Sequence, residues 1–202
     1  TLDSITWMIE GGRNDEAAYM ITQLARLFRI SLSGGRTIIS VADELQHAKC
    51  YMNIQKVRYK DSFDVTFETD PEVERCCVVK LILQPILENA INYGISGMDD
   101  CGRIKVSGAL KDGKVFLTVE DNGIGIPREE VELLLTDGSR VHKKGSGVGL
   151  VNVNNRLQIL FGKEYGLRVE SEPDEGTRVI ISIPAIPYNE ENRRLLENGR
   201  LP

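Results

Sequence analysis

The spacing of apolar residues changes character near residue 62, and that change limits what the chain can fold into. Before it, apolar positions recur at helical spacing: Leu2, Ile5, Met8 and Ile9, then Ala17, Met20, Ile21, Leu24, Leu27 and Phe28. Gly11-Gly12 and Gly34-Gly35 stop these two helices. Ser40, with Asp43 three residues on, fits a capping box that opens a third helix with the stripe Leu45, Ala48, Met52 and Val57. After the change the period is two. Phe63, Val65 and Phe67 alternate with Asp64, Thr66 and Glu68, and further strands are expected at 103–109, 114–121, 167–172 and 177–183. Asp112-Gly113 marks a hairpin between two of them. Two more helices are expected at about 78–93 and 148–161. One-sided alternation implies a mostly antiparallel sheet with one covered face. Helices on that face give an α+β chain folded as a two-layer α/β sandwich behind a helical segment. The two N-terminal helices cannot bury their stripes alone. They form half of a bundle completed by another helix or another copy of the chain, or a pair folded onto the main body. Residues 188–202 are polar and are expected to form a tail with room for a short helix.

Composition narrows the function classes. A length of 202 residues suits one domain with an appendage, and 27% charged with 41% apolar residues is ordinary globular usage. No apolar run is long enough for a membrane helix, and no signal peptide opens the chain. A net charge of −5 argues against a nucleic-acid footprint, which needs clustered Lys and Arg. The cysteines Cys50, Cys76, Cys77 and Cys101 form no C-x-x-C pair, so they suggest reduced thiols rather than a zinc site. Neither histidine has a ligand-like neighbour. His47 falls in the third helix as a surface or satisfied polar residue, and His142 falls in a loop.

Three polar features break the pattern around them. In the helix containing Glu88-Asn89-Ala90-Ile91-Asn92-Tyr93-Gly94, Leu83, Leu87, Ala90 and Ile91 make the core stripe. Asn89 and Tyr93 share a second ridge, and Glu88 and Asn92 a third. An amide oxygen can hold a magnesium ion and a ring can stack on a base, although a partly exposed helix face would look the same. Pro85 marks a kink or a helix start. In the second feature, Val115, Leu117 and Val119 point to the covered face, and by period two Asp121 does as well. A carboxylate aimed at a core is costly unless paired, and here it can accept from an exocyclic amino group such as adenine's. Gly123 and Gly125 let the backbone that leads to Ile126 approach a ligand. The third feature, Gly145-x-Gly147-x-Gly149-Leu150, opens a helix and offers free N–H groups to a phosphate. It is neither a Walker loop nor a Rossmann fingerprint. The stretch 128–144 is long enough to serve as a lid, and its Lys143 and Lys144 can offset phosphate charge. Thr177 lies on the same face as Asp121 and can share its ligand.

Taken in order, Asn89, Asp121-x-Gly123-x-Gly125, Gly145-x-Gly147-x-Gly149-Leu150 and Gly176-Thr177 resemble the N, G1 and G2 boxes and terminal Gly-Thr of the Bergerat-fold ATPases. That superfamily includes gyrase, Hsp90, MutL and the histidine kinases. The stretches 81–90 and 151–157 look like the C-terminal part of LytS/YesM-type bacterial sensor histidine kinases, and 1–5 and 27–32 resemble their dimerisation helices. The resemblance reaches about Pro187. It implies a remnant of the dimerisation and phosphotransfer helices at 1–36, an ATP-binding domain at 37–187 and a tail at 188–202. It implies that Asn89 holds Mg2+, Asp121 binds the adenine amino group, and Tyr93 lines or stacks on the base. Gly123, Gly125 and Ile126 complete that wall, Gly145, Gly147, Gly149 and Leu150 attend the phosphates, and Thr177 backs the adenine. Asn92 stands where many histidine kinases carry a phosphate-binding Lys, a role left to Lys143 or Lys144. Pro85 stands where related ATPases place an Asn or a water-activating Glu, and Glu88 is the nearest carboxylate. The implied activity is transfer of the γ-phosphoryl group of ATP to a His in an upstream Asn-Pro-His-Phe motif, for relay to a response-regulator Asp. The implied parent is a homodimeric, membrane-anchored protein with this region in the cytoplasm. The alternatives are a hydrolytic ATPase of the same superfamily, or an ATP-binding or dimerisation module without transfer activity.

Overall fold

The computed structural model describes residues 1–60, 62–95, 101–135 and 147–202. The chain opens with two helices, α1 (Leu2–Glu10) and α2 (Asn14–Leu32). A short strand β1 (Ile38–Ser40) leads into helix α3 (Val41–Arg58). The Ser40 hydroxyl caps α3 by accepting from the Asp43 N–H at 3.0 Å, the bond the capping signal predicts. Strand β2 (Phe63–Thr69), the single turn α4 (Pro71–Glu74), strand β3 (Cys77–Val79) and helix α5 (Leu83–Asn89) follow, and a π turn continues α5 through Ala90–Ile95. The remaining elements are β4 (Gly102–Lys111), β5 (Lys114–Asp121), α6 (Arg128–Leu134), α7 (Gly147–Phe161), β6 (Gly166–Glu172), β7 (Gly176–Pro184) and α8 (Glu190–Glu197).

Five strands form one sheet in the order β2-β4-β5-β7-β6, and β1 pairs with β3 apart from it. The expected antiparallel character holds for three of the four pairings in that sheet; β2 runs parallel to β4. Period-two alternation fixes which face a strand buries but says nothing of its neighbour's direction. The hairpin turns at Asp112 (φ 51°) and Gly113 (φ 73°), the paired positive φ of a type I′ turn. Helices α3, α5 and α7 cover one face. Leu45, Ala48 and Met52, Leu83, Ile86 and Leu87, and Leu150, Val153, Leu157 and Phe161 pack on Val106, Val115, Leu117, Val119, Ile181 and Ile183. This is the expected two-layer sandwich.

One expectation is corrected in detail and two are narrowed. The helix expected from about residue 78 begins at Leu83, because 77–79 pairs with β1 and Leu81 takes a left-handed φ of 61°. Pro85 then falls in the first turn, where its missing N–H costs nothing. His47 is fully buried, with Nε2 2.9 Å from the Ser31 hydroxyl, and burial lowers its pKa. The C-terminal residues pack onto the body. Leu196 is buried, the Thr37 N–H donates to Glu197 Oε1 at 3.1 Å, and Asn189 caps α8. The N-terminal helices divide their stripes. Ile5, Met8, Ala17 and Met20 pack with Ile54 of α3, while Trp7, Ile9, Ile21 and Phe28 remain exposed.

Candidate functional site

At one end of the sandwich, α5 with its π turn, the ends of β5 and β7, α6 and the first turn of α7 enclose a cavity of about 470 Å³. That size and its mostly apolar wall suit a nucleoside. Asn89, Tyr93, Asp121, Gly125, Ile126, Leu150 and Thr177 line it together, although they are spread over almost ninety positions of sequence. Ile86, Ala90, Val119, Val169 and Val179 supply apolar wall.

Asp121 ends β5 and pairs in register with Thr177 of β7. The backbone N–H of Gly123 donates to Asp121 Oδ1 at 2.9 Å, and the Thr177 N–H also bonds the carboxylate. Burial pushes the Asp121 carboxyl up to about 6, and these two donors draw it back. Two glycines let the chain close around it. A Cβ on Gly94 would lie 2.7 Å from Asp121 Oδ1, and one on Gly123 would lie 2.2 Å from the Gly94 carbonyl oxygen. The loop after β5 therefore rests on the π turn, and the Ile124 N–H donates to Gly94 O at 3.0 Å.

Sequence reasoning passed over three residues that hold this arrangement. The Ser171 hydroxyl of β6 accepts from the Ile126 N–H at 2.8 Å, donates to Gly176 O at 2.7 Å and lies 2.9 Å from the Thr177 hydroxyl. It ties the loop after β5 to the start of β7. Glu44 of α3 is fully buried and accepts from the N–H groups of Leu81, Ile82 and Leu83, each at 2.8 Å. It satisfies three donors at the start of α5. Burial pushes its carboxyl up, while these donors and Arg156 pull it down. Arg156 of α7 donates to Lys80 O at 2.7 Å and Leu81 O at 3.4 Å, so the same turn ties α7 to α5. Glu44 had a signal in the sequence, a carboxylate among the apolar positions Val41, Leu45 and Ala48.

Glu88 stands apart from this cavity. It accepts from Gln84 Nε2 at 2.8 Å and lines a groove on the α3 side of α5. Gly149 packs near Pro85, and Gly147 begins α7. Lys143, Lys144 and Gly145 lie outside the described residues, as does His142.

A one-sided sheet under three helices, with its cavity between the helical layer and the strand ends, defines an ATPase-type α/β sandwich. Residues 78–187 match the family described as histidine kinase-, DNA gyrase B- and HSP90-like ATPases, and residues 1–63 match the histidine kinase family. The chain belongs to the histidine kinase-, DNA gyrase B- and HSP90-like ATPase family, in its histidine kinase branch. It is 35% identical over 184 residues to the sensor histidine kinase YesM of Bacillus subtilis, covering 91% of this chain and 30% of that protein. It is 34% identical over 180 residues to the sensor protein LytS of Bacillus anthracis, covering 88% of this chain and 30% of that protein. The chain thus spans about 30% of the length of these curated relatives. The catalytic domain of histidine kinase ThkA shares the fold, with a TM-score of 0.58 and 23% identity, over 75% of this chain and 97% of that one. So does the histidine kinase domain of the Erythrobacter litoralis EL346 blue-light activated kinase, with a TM-score of 0.55 and 20% identity, over 91% of this chain and 79% of that one.

Proposed function

We propose that the chain is the catalytic region of a two-component sensor histidine kinase, which binds Mg-ATP in this cavity and transfers the γ-phosphoryl group to a histidine of its own protein. The observation that carries the reading is Asp121, a carboxylate at the floor of an apolar cavity with acceptor capacity facing inward. Its donors, Gly123 and Thr177, leave room for one more, and the amino group of adenine is a donor of that size. Tyr93, Gly125 and Ile126 flank the base, and Thr177, held by Ser171, backs it. Asn89 faces the same cavity and offers an amide oxygen to magnesium, an ion that would neutralise phosphate charge when bound. Gly147 and Gly149 at the start of α7, with Gly145, Lys143 and Lys144 ahead of them, attend the phosphates.

The chain's contribution to transfer is positioning and charge neutralisation. The lone pair of the acceptor imidazole forms the N–P bond while the bond to the bridging oxygen breaks, and the electron pair leaves with ADP. The phosphoryl group then passes to an aspartate of a response regulator. Residues 1–36 serve as dimerisation helices, 37–187 as the ATP-binding domain and 188–202 as a C-terminal extension, in a membrane-anchored parent whose catalytic part faces the cytoplasm. The first turn of α5 carries Pro85 rather than a carboxylate, and Glu88 faces away from the cavity, which supports transfer over hydrolysis.

Calorimetric titration with Mg-ATP tests the reading. Asp121→Ala is expected to weaken binding at least about tenfold, the range for losing a charged hydrogen bond. Unchanged affinity would sink it. Radiolabelled ATP, given to this chain together with an ATP-dead partner carrying the acceptor histidine, should label the partner. Free phosphate alone would instead mark a hydrolytic ATPase.

A further inference from the structure

The described lining of the nucleotide cavity carries two carboxylates, Asp121 and Glu130, and no lysine or arginine. Beyond what a magnesium ion at Asn89 would neutralise, a polyphosphate bound there draws its positive charge from outside that wall. On the other side of α5 runs a groove of about 670 Å³, between α1 and α2 above and α3 and α5 below. The two spaces share one side chain, Asn92, which stands in the wall between them. Asn92 does not stand alone. Its Oδ1 accepts from the Tyr59 hydroxyl at 3.4 Å, and the Arg58 guanidinium lies over the Tyr59 ring, 5.6 Å from its centroid. Arg58 lines the groove beside Asn92, and it makes no ion pair among the described residues.

We propose that Arg58 is the cation that meets the γ-phosphoryl group of ATP, reaching it across Asn92 from the end of α3. This rests on the ATP reading above. Three features fit Arg58 for the task. Asp121 marks the base end of the cavity, and it touches the π turn at Gly94, the residue after Tyr93. Asn92 lies on the opposite, α3-facing ridge of the same turn, toward the groove. A guanidinium presents a planar fork of donors that pairs two phosphate oxygens at once, which a neutral amide at Asn92 cannot do. Stacking on Tyr59 holds that fork in one orientation and lowers the entropy lost on binding.

Calorimetry with Mg-ATP and Mg-ADP at fixed ionic strength separates this role from a general charge effect. Arg58→Gln is expected to weaken ATP about tenfold while ADP stays within about twofold, because only ATP carries the group that Arg58 meets. Arg58→Lys should recover part of the loss, and Lys111→Gln, an exposed charge at the far end of β4, should change neither affinity. Arg58 is exposed, so the glutamine variant keeps its packing, and unchanged circular dichroism and melting temperature verify that. Equal weakening of ATP and ADP, or none, overturns the inference. So does a Lys143→Gln/Lys144→Gln variant that alone abolishes the preference for ATP. Wild-type chain that binds neither nucleotide overturns the ATP reading itself, and the inference with it.

Discussion

Asp121 answers to two demands that move its proton in opposite directions. Burial in the apolar cavity favours the protonated acid and raises its pKa from the ordinary 3.8 to about 6. An adenine amino group bound as proposed would be accepted better by the ionised form, which has the stronger acceptor oxygens. The folded-state value lies above the unfolded one, so ionised Asp121 opposes folding. The penalty is absent below about pH 4, grows as pH rises through the window up to about 6 and is complete above it, on the order of 3 kcal/mol. Asp121→Asn should therefore melt at a higher temperature than the wild type at pH 7.5 without nucleotide, and the advantage should vanish near pH 4. Thermal unfolding followed by circular dichroism at the two pH values checks this, and an equal difference at both would refute it. In the wild type, ATP affinity should fall as pH drops below about 6, because the bound nucleotide is accepted better by a carboxylate that the free protein increasingly holds protonated. A flat calorimetric affinity between pH 5 and pH 8 would contradict that.

At the scale of elements, the start of α5 is where three helices are joined. Glu44 brings α3 to it and Arg156 brings α7. Glu44→Ala leaves three N–H groups without their acceptor, two of them in fully buried bonds. At about 1–3 kcal/mol for each unsatisfied donor, the loss should be at least about 3 kcal/mol in chemical denaturation. A loss below about 1 kcal/mol would mean that water replaces the carboxylate and that the turn is not held by it. The same junction shows what a sequence can and cannot disclose. The cap at Ser40, the hairpin at Asp112-Gly113 and the inward aim of Asp121 are all decided within a few residues, so local spacing displays them. The start of α5 is decided by a carboxylate 37 positions earlier in sequence, and nothing local to Leu81 announces it. Glu88 and Asn89 are adjacent, yet they serve opposite sides of one helix, and only the packing of α3 against α5 separates the groove from the cavity. The parallel pairing of β2 with β4 is likewise a long-range choice. Ser171 reads as an ordinary strand residue until β7 brings Thr177 beside it.

The whole molecule presents one surface that the fold leaves unfinished. Helix α2 turns Ala17 and Met20 toward α3, but its other side and that of α1 expose Trp7 at 63%, Leu32 at 71%, and Ile9, Ile21 and Phe28 at about half. Exposed apolar residues clustered on two adjacent helices mark an interaction surface rather than scatter. A second copy of the chain offers the same stripe, and two stripes packed about a twofold axis would complete a four-helix arrangement. The chain should therefore associate as concentration rises, measured by sedimentation velocity. Trp7 is the single tryptophan, so its fluorescence should shift to shorter wavelength over the same range. Ile9→Asp with Ile21→Asp places two charges on the stripe and should keep the chain monomeric. Neither residue lines the nucleotide cavity, so Mg-ATP affinity should stay unchanged in the double variant. Loss of nucleotide binding along with association would mean that these helices also stabilise the sandwich. A chain that stays monomeric at every concentration, with Trp7 emission constant, would mean that a different partner covers the stripe.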